Sequence, residues 1–185
     1  MSIPLVGVLL LSTTGAVAGG GVRGARPAVL LLSRPYVVVV KAARRLHLFD
    51  GETLVRTYPI DLGAVPGGPK LHASDGRTPV GRFQIITRNE RSPHHRFLGI
   101  SYPDEPAVAR GLQDGLISPG EAASIRRALA AGRCPDWSTA LGGGIGIHGG
   151  RTGSDWTAGC IALSDEHVEE LFGVLRIGDP VEILP

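Results

Sequence analysis

Cysteine is scarce in this sequence: Cys134 and Cys160 are the only two among 185 residues. They could form one disulfide at most, but they stand in very different local settings, and no spacing suggests a metal site. A free, reactive thiol is the reading with chemical content. Clustered positive charge is scarce too. No Lys/Arg run is longer than Arg44-Arg45 or Arg126-Arg127, the formal charge is +2 and the pI is near 8.8, so nucleic acid is a poor partner for this chain. Beyond the N-terminal stretch no apolar run reaches the roughly 18 residues that cross a bilayer, because Arg34 and Pro35 interrupt the one from Ala28 to Val40. Internal repeats and low-complexity blocks are also missing. Gly (27) and Pro (14) make up about a fifth of the chain but are spread between apolar runs, which suits a loop-rich β protein better than a disordered one.

With 43% hydrophobic residues in 19.3 kDa, the chain can bury one good core and is too short for two ordinary domains. Met1 to Gly21 holds an apolar stretch from Leu5 to Leu11, then Ser-Thr-Thr-Gly, then the small residues Ala16-Val17-Ala18. No Lys or Arg precedes the apolar stretch, yet its length and the small residues after it fit an h-region and a cleavage site. Residues 1–18 are therefore expected to be a signal peptide, 19–35 a linker and 36–185 the folded domain. This reading implies export to the periplasm or cell envelope, with no stable membrane span after cleavage.

The run Tyr36 to Lys41 is β-branched and short, which favours a buried strand. Arg45 to Asp50 and Thr53 to Tyr58 flank Asp50-Gly51, a hairpin signal, and a further strand is predicted from Gly81 to Thr87. The first half thus reads as a β meander. Between Ser118 and Arg133 the pattern turns helical: Ser118 and Glu121 have capping-box spacing, Pro119 takes the first helical position, and Ile125 and Leu129 lie four apart. A second helix is predicted after Ser164, with Val168, Leu171, Phe172 and Leu175 on one face, followed by a closing strand from Pro180 to Leu184. The fold class is mostly β, a sandwich or barrel-like sheet with one or two peripheral helices.

The densest unusual segment is Gly142-Gly-Gly-Ile-Gly-Ile-His-Gly-Gly150, then Arg151 to Asp155, then Trp156-Thr-Ala-Gly-Cys-Ile-Ala-Leu163. A strand from Ile145 delivers His148 to its end, and a loop of small residues then delivers Cys160 behind Gly159. A thiol must lose its proton to attack an amide carbonyl, and a neighbouring imidazole removes it; as an ion pair the two keep a thiolate below pH 7. Backbone N–H groups at Gly159 and Cys160 are candidate donors to the oxyanion, the Gly149 carbonyl is a candidate orienter of the imidazole, and Asp155 is an acid that the fold could bring near. Each residue also has a bland reading. A Cys after Gly is most often a small core residue, and a His on an apolar strand is most often a satisfied structural group. The pairing of the two in a cysteine-poor chain favours a cysteine hydrolase or transferase. A phosphate cradle at Gly142 to Gly150 lacks the Gly-Lys-Ser/Thr and the helix it needs.

The segments Ile147-His-Gly149 and Thr157-Ala-Gly-Cys-Ile-Ala-Leu163 resemble the active-site motif of the L,D-transpeptidase catalytic domain family (YkuD-like): His-Gly, a variable loop, then Ser/Thr-x-Gly-Cys-Ile/Val-Arg. Gly76-Arg-Thr-Pro-Val-Gly-Arg-Phe83 is similar to the family's Thr-Pro-x-Gly-x-Phe turn, and Leu98-Gly-Ile-Ser-Tyr-Pro103 to its Leu-Ser-Tyr-Pro segment. The resemblance spans roughly Tyr36 to Leu184, and it implies attack of a cysteine on the carbonyl before the terminal D-alanine of a peptidoglycan tetrapeptide stem, through a thioester that an amine or water resolves. It makes Cys160 the nucleophile, His148 the base, Gly149 the orienting carbonyl and Gly159 part of the oxyanion site, with Thr157, Trp156, Arg151 and His95 as substrate-binding candidates. No cofactor or metal is implied. Ala162 and Ala158 stand where many members carry basic residues, which places the chain in a Gly-Cys-x-Ala branch and removes an Arg that could grip a carboxylate bidentately. Transfer and hydrolysis of stem or cross-link both remain open. The competing reading is a noncatalytic peptidoglycan-binding module with the same fold.

Overall fold

The computed structural model describes residues 30–151 and 153–185; the expected signal peptide, and the expected linker up to residue 29, lie outside the described residues. The last linker residues are already tied to the sheet, since the Ser33 and Arg34 N–H groups donate to Asp50 Oδ1 at 3.0 and 2.6 Å.

Strand β1 (Pro35–Val40) buries Val37 and Val39 completely while its other residues are half exposed, the two-residue period of a sheet with one face on the core. It pairs antiparallel with β2 (Arg45–Asp50), which turns through Gly51, at φ +59°, into β3 (Thr53–Pro59). Strand β4 (Gly81–Ser92) is followed by β5 (His95–Ile100), then by β6 (Gly146–His148) and β7 (Ile161–Ala162), and β8 (Pro180–Leu184) ends the sheet elements. The sheet order is β3-β2-β1-β8-β4-β5-β6-β7, so the predicted meander is interrupted: β8 lies parallel to β1 and antiparallel to β4 and separates the first hairpin from the rest. Local patterning could not reveal this insertion, because the inserted strand comes last in the chain.

Strand β4 is where the sheet curls. Gly81 to Gln84 pair with β8, whereas Ile85 to Ser92 pair with β5 across two register shifts, and such irregularities bend and twist a strand. The curl brings the sheet's ends together. The chain that leaves β3 runs beside β7, with bridges from Asp61 to Ala162 and from Gly63 to Thr157. The sheet is a mostly β, curled, half-barrel structure whose core holds Leu46, Leu48, Ile85, Leu98, Ile147, Ile161 and Ile183, all at most 1% exposed.

Among the described residues there are three helices. In α3 (Asp165–Val174) the Ser164 hydroxyl caps the His167 N–H, acidic residues occupy the first turn, and Val168, Leu171 and Phe172 dock on the core as their spacing predicts. In α2 (Pro119–Ala130) the Ser118/Glu121 capping box is complete. Helix α1 (Glu105–Gln113), capped by Asp104, was not foreseen, because Pro106 and Gly111 punctuate its short sequence. Helices α1 and α2 build a small second core of Val108, Ile117, Ala122, Ile125 and Leu141 between β5 and β6. Among the described residues no helix is long and apolar enough to cross a membrane.

Leu171 is fully buried where α3 meets the sheet. Leu171→Ala is expected to lower unfolding free energy by about 2–5 kcal/mol, through lost transfer energy plus a residual cavity. Urea denaturation of both proteins measures it.

Candidate active site

His148 ends β6, between β5 and β7, and is 3% exposed. Its Nδ1 lies 2.6 Å from the Gly149 carbonyl oxygen. A carbonyl only accepts, so Nδ1 carries the hydrogen and, in the neutral ring, Nε2 is the basic atom. Gly149 is fixed in turn, its N–H donating to the His94 carbonyl at 3.0 Å. Two side chains wall the imidazole: His94 stacks on it with centroids 4.7 Å apart, and Trp156 meets it edge-on at 5.7 Å. Burial lowers the proton affinity of His148 and outweighs the Gly149 hydrogen bond, which raises it.

Cys160 directly precedes β7, which pairs in parallel with β6 so that Ile147 faces Ile161 and His148 faces Ala162. This register brings Cys160, the residue immediately before β7, to the strand next to the one that ends in His148. The approach to Cys160 needs glycine. Gly159 has φ +132°, and a Cβ there would lie 2.6 Å from the Arg77 carbonyl oxygen. A Cβ on Gly63 would collide with the Gly76 carbonyl oxygen and come within 3.1 Å of the Gly159 Cα. Thr78, fully buried, accepts from the Gly63 N–H at 3.0 Å. The Gly76 to Phe83 motif is therefore the backing of the cysteine loop.

The Cys160 Sγ is 3.5 Å from the Gly144 carbonyl oxygen, a contact that keeps the proton on sulfur. Burial pushes the thiol up, while the Gly146 N–H and the charge of Lys70 pull it down by less. Lys70 itself is held in a buried pair, its Nζ 2.7 Å from Asp75 Oδ1. Burial alone would raise the Asp75 carboxyl, but Lys70 and the N–H groups of Leu71, Arg77 and His72 bring it down to about 2. Burial thus favours the uncharged form of each group, against the ion pair expected from residue types alone.

The fold commits the other candidate groups to partners of their own. Gly159's N–H is not open to an oxyanion, because it donates to Thr157 Oγ1 at 3.1 Å. Thr157 is 4% exposed and its hydroxyl donates to the Cys160 carbonyl at 2.7 Å, so it staples the loop and offers no surface to a substrate. Asp155 does not reach His148: it accepts from Arg44 Nη2 at 2.7 Å and from the Leu62 N–H at 2.8 Å. His95 turns the other way, its Nε2 2.8 Å from Glu169 on α3. Its neighbour His94 is the histidine at the site. The adjacent pair was visible in the sequence, but which one faces inward depends on the β4–β5 turn, where His95 adopts φ +70°. Arg151 lies 3.5 Å from Asp61, whose backbone pairs with Ala162, so it borders the site. Ala162 is fully buried and Ala158 exposed. Cys134 and Cys160 are both free, and Cys134 is exposed. Arg44, Lys70 and Asp61 carried no motif that could have marked them.

The L,D-transpeptidase catalytic domain family, YkuD, matches residues 34–183, and the chain belongs to that family. Among solved structures it is similar to Bd1075 of Bdellovibrio bacteriovorus, with 18% identity over 83% of this chain and 48% of that one and a TM-score of 0.54. It is also similar to the helical cell shape determining protein Pgp2 of Campylobacter jejuni, with 21% identity over 81% of this chain and 47% of that one and a TM-score of 0.51. An L,D-transpeptidase from Mycobacterium smegmatis aligns at 13% identity over 82% and 59% of the two chains, with a TM-score of 0.48. At these identities the likeness is one of fold, and the chain spans about half to three fifths of the length of these structures. No curated protein sequence matches it.

Thr157→Ala would leave the buried Gly159 N–H without its acceptor, at a cost of about 1–3 kcal/mol. Chemical denaturation is expected to show that loss for Thr157→Ala and most of it recovered in Thr157→Ser, which keeps the hydroxyl.

Proposed function

We propose that this chain is a cysteine acyltransferase of the L,D-transpeptidase type that acts on peptidoglycan tetrapeptide stems in the cell envelope. The observation that supports the reading is the β6/β7 register, in which the strand that follows Cys160 runs beside the one that ends in His148, whose Nδ1 contact with the Gly149 carbonyl leaves Nε2 as the candidate proton acceptor.

In the proposed reaction the thiol leaves the Gly144 carbonyl and turns toward His148. Nε2 takes the proton as sulfur attacks the carbonyl before the terminal D-alanine. The tetrahedral oxyanion is met by the Cys160 N–H, since the Gly159 N–H is already engaged. Collapse expels D-alanine, whose amine takes the proton back from His148, and a thioester remains on Cys160. A stem amine gives transpeptidation and water gives hydrolysis. Arg151 and Trp156 border the site and are the proposed contacts for the stem, in place of the basic residues that Ala162 and Ala158 do not supply. The apolar stretch of residues 5–11 motivates an envelope location.

Purified protein on isolated peptidoglycan is expected to change the muropeptide profile. Cys160→Ala should abolish that change, and His148→Ala should slow it by roughly a hundredfold or more, the usual contribution of a general base. Binding to peptidoglycan with no profile change even in the wild type would identify a binding module instead. The pH dependence follows from the neutral resting pair: with the thiol pushed above its ordinary range, the thiolate fraction grows about tenfold per pH unit through neutrality. Iodoacetamide labelling of Cys160 should climb accordingly between about pH 6 and 8 and be slower in His148→Ala. Fast labelling that stays flat below neutral pH would contradict it.

A further inference from the structure

His94 has no part in the reaction just described, yet three contacts converge on it. Its ring stacks on that of His148 with an interplanar angle of 28°. Its carbonyl holds the N–H of Gly149, the residue whose own carbonyl orients His148. Trp156 packs edge-on against both rings, at 5.6 Å from His94 and 5.7 Å from His148. His94 is exposed while His148 is buried, so the His94 ring is the layer between the imidazole and water on that side.

We infer that His94 is a positioning residue for His148: its ring caps the imidazole, its backbone fixes the carbonyl that orients it, and its charge state sets how readily His148 accepts a proton. The inference rests on His148 being the base of the proposed reaction. Two imidazoles stacked this closely, with one face of the pair shut off from water, cannot both become cations without repulsion. A charged His94 accordingly lowers the proton affinity of His148 further, in the same direction as burial. When His94 is charged, His148 remains neutral but becomes a poor acceptor of the thiol proton. When His94 is neutral, the base works unopposed.

The other charged or titratable groups around the ring are engaged elsewhere. Asp165, at the start of α3, accepts from the Gly150 N–H at 2.9 Å. His95 and Arg96 on β5 both pair with Glu169 of α3. Arg151 lies against Asp61, Cys160 rests as a thiol on Gly144, and Lys70 is paired with Asp75. Among the described residues, His94 is the titratable side chain that stacks on His148.

The test is an NMR titration of the histidine Cε1–H resonances in the full chain, with His148 assigned by its loss in His148→Ala. In wild type the His148 resonance is expected to move in two steps. In His94→Phe, which keeps the stacked ring and removes the charge, and in His94→Gln, it should move in one step displaced to higher pH. The thermal midpoint of His94→Phe should stay close to wild type, which a merely structural role would also allow, so the titration is the deciding readout. An identical His148 curve in wild type and both variants overturns the inference. Should one variant fail to fold, the wild-type curve and the other variant decide. If the titration is coupled but Cys160 alkylation is unaffected by His148→Ala, the proposed function fails and the coupling stands.

Discussion

The site depends on one steric constraint: three backbone segments meet where no side chain fits. Gly63, Gly76 and Gly159 come from the chain after β3, the turn before β4 and the loop before β7, and a Cβ on Gly63 or Gly159 would run into backbone of a neighbouring segment. Close backbone packing of this kind fixes position more tightly than side-chain contact, because a backbone cannot change rotamer to relieve strain. It is reinforced by hydrogen bonds on both sides. Thr78 holds Gly63, Thr157 holds Gly159 and Cys160, and Arg44 with the Leu62 N–H holds Asp155 at the head of the same loop. The thiol is thus placed by the closure of a curled sheet. Sequence-distant parts of the chain, from Arg44 to Cys160, all contribute to a single loop.

This explains what could be read in advance and what could not. The hairpin at Asp50-Gly51, the capping box at Ser118 and the apolar stripe of α3 are local signals, and each element formed where its residues predicted. His148 and Cys160 stood out because His-Gly and Gly-Cys are short patterns with a mechanism behind them. By contrast, the place of β8 between β1 and β4 is a matter of topology, set by where the last strand finds an open edge. The partners of Thr157, Asp155 and His95 are likewise set by the fold and not by local pattern: the first two hold the cysteine loop and the third pairs with Glu169. His94 was hidden by its neighbour: adjacent residues in a turn point apart, and nothing in Ser92-Pro-His-His-Arg96 says which of the two faces inward.

The helical segment between β5 and β6 has a different relation to the site. Helices α1 and α2 have their own small core, yet the loop that leaves them ends in Gly142 to Gly144, on which Trp137 lies and whose Gly144 carbonyl holds the thiol. Leu141 anchors that loop from within the second core, where the Tyr102 hydroxyl also reaches its carbonyl at 3.3 Å. The resting position of the Cys160 proton is therefore coupled by packing to a part of the molecule outside the main sheet.

The electrostatics of the site favour neutrality from both sides. Burial pushes the Cys160 thiol up and lowers the proton affinity of His148, and both displacements work against a thiolate–imidazolium pair in the empty site. A neutral pair is protected from adventitious alkylation and oxidation, because those reactions need thiolate. In the proposed reaction, charge then forms only when a carbonyl is present to receive the sulfur and the Cys160 N–H meets the oxyanion. On that proposal the protein supplies an imidazole with its tautomer already set by Gly149, a thiol resting on the Gly144 carbonyl, and a neighbouring ring stacked on the imidazole.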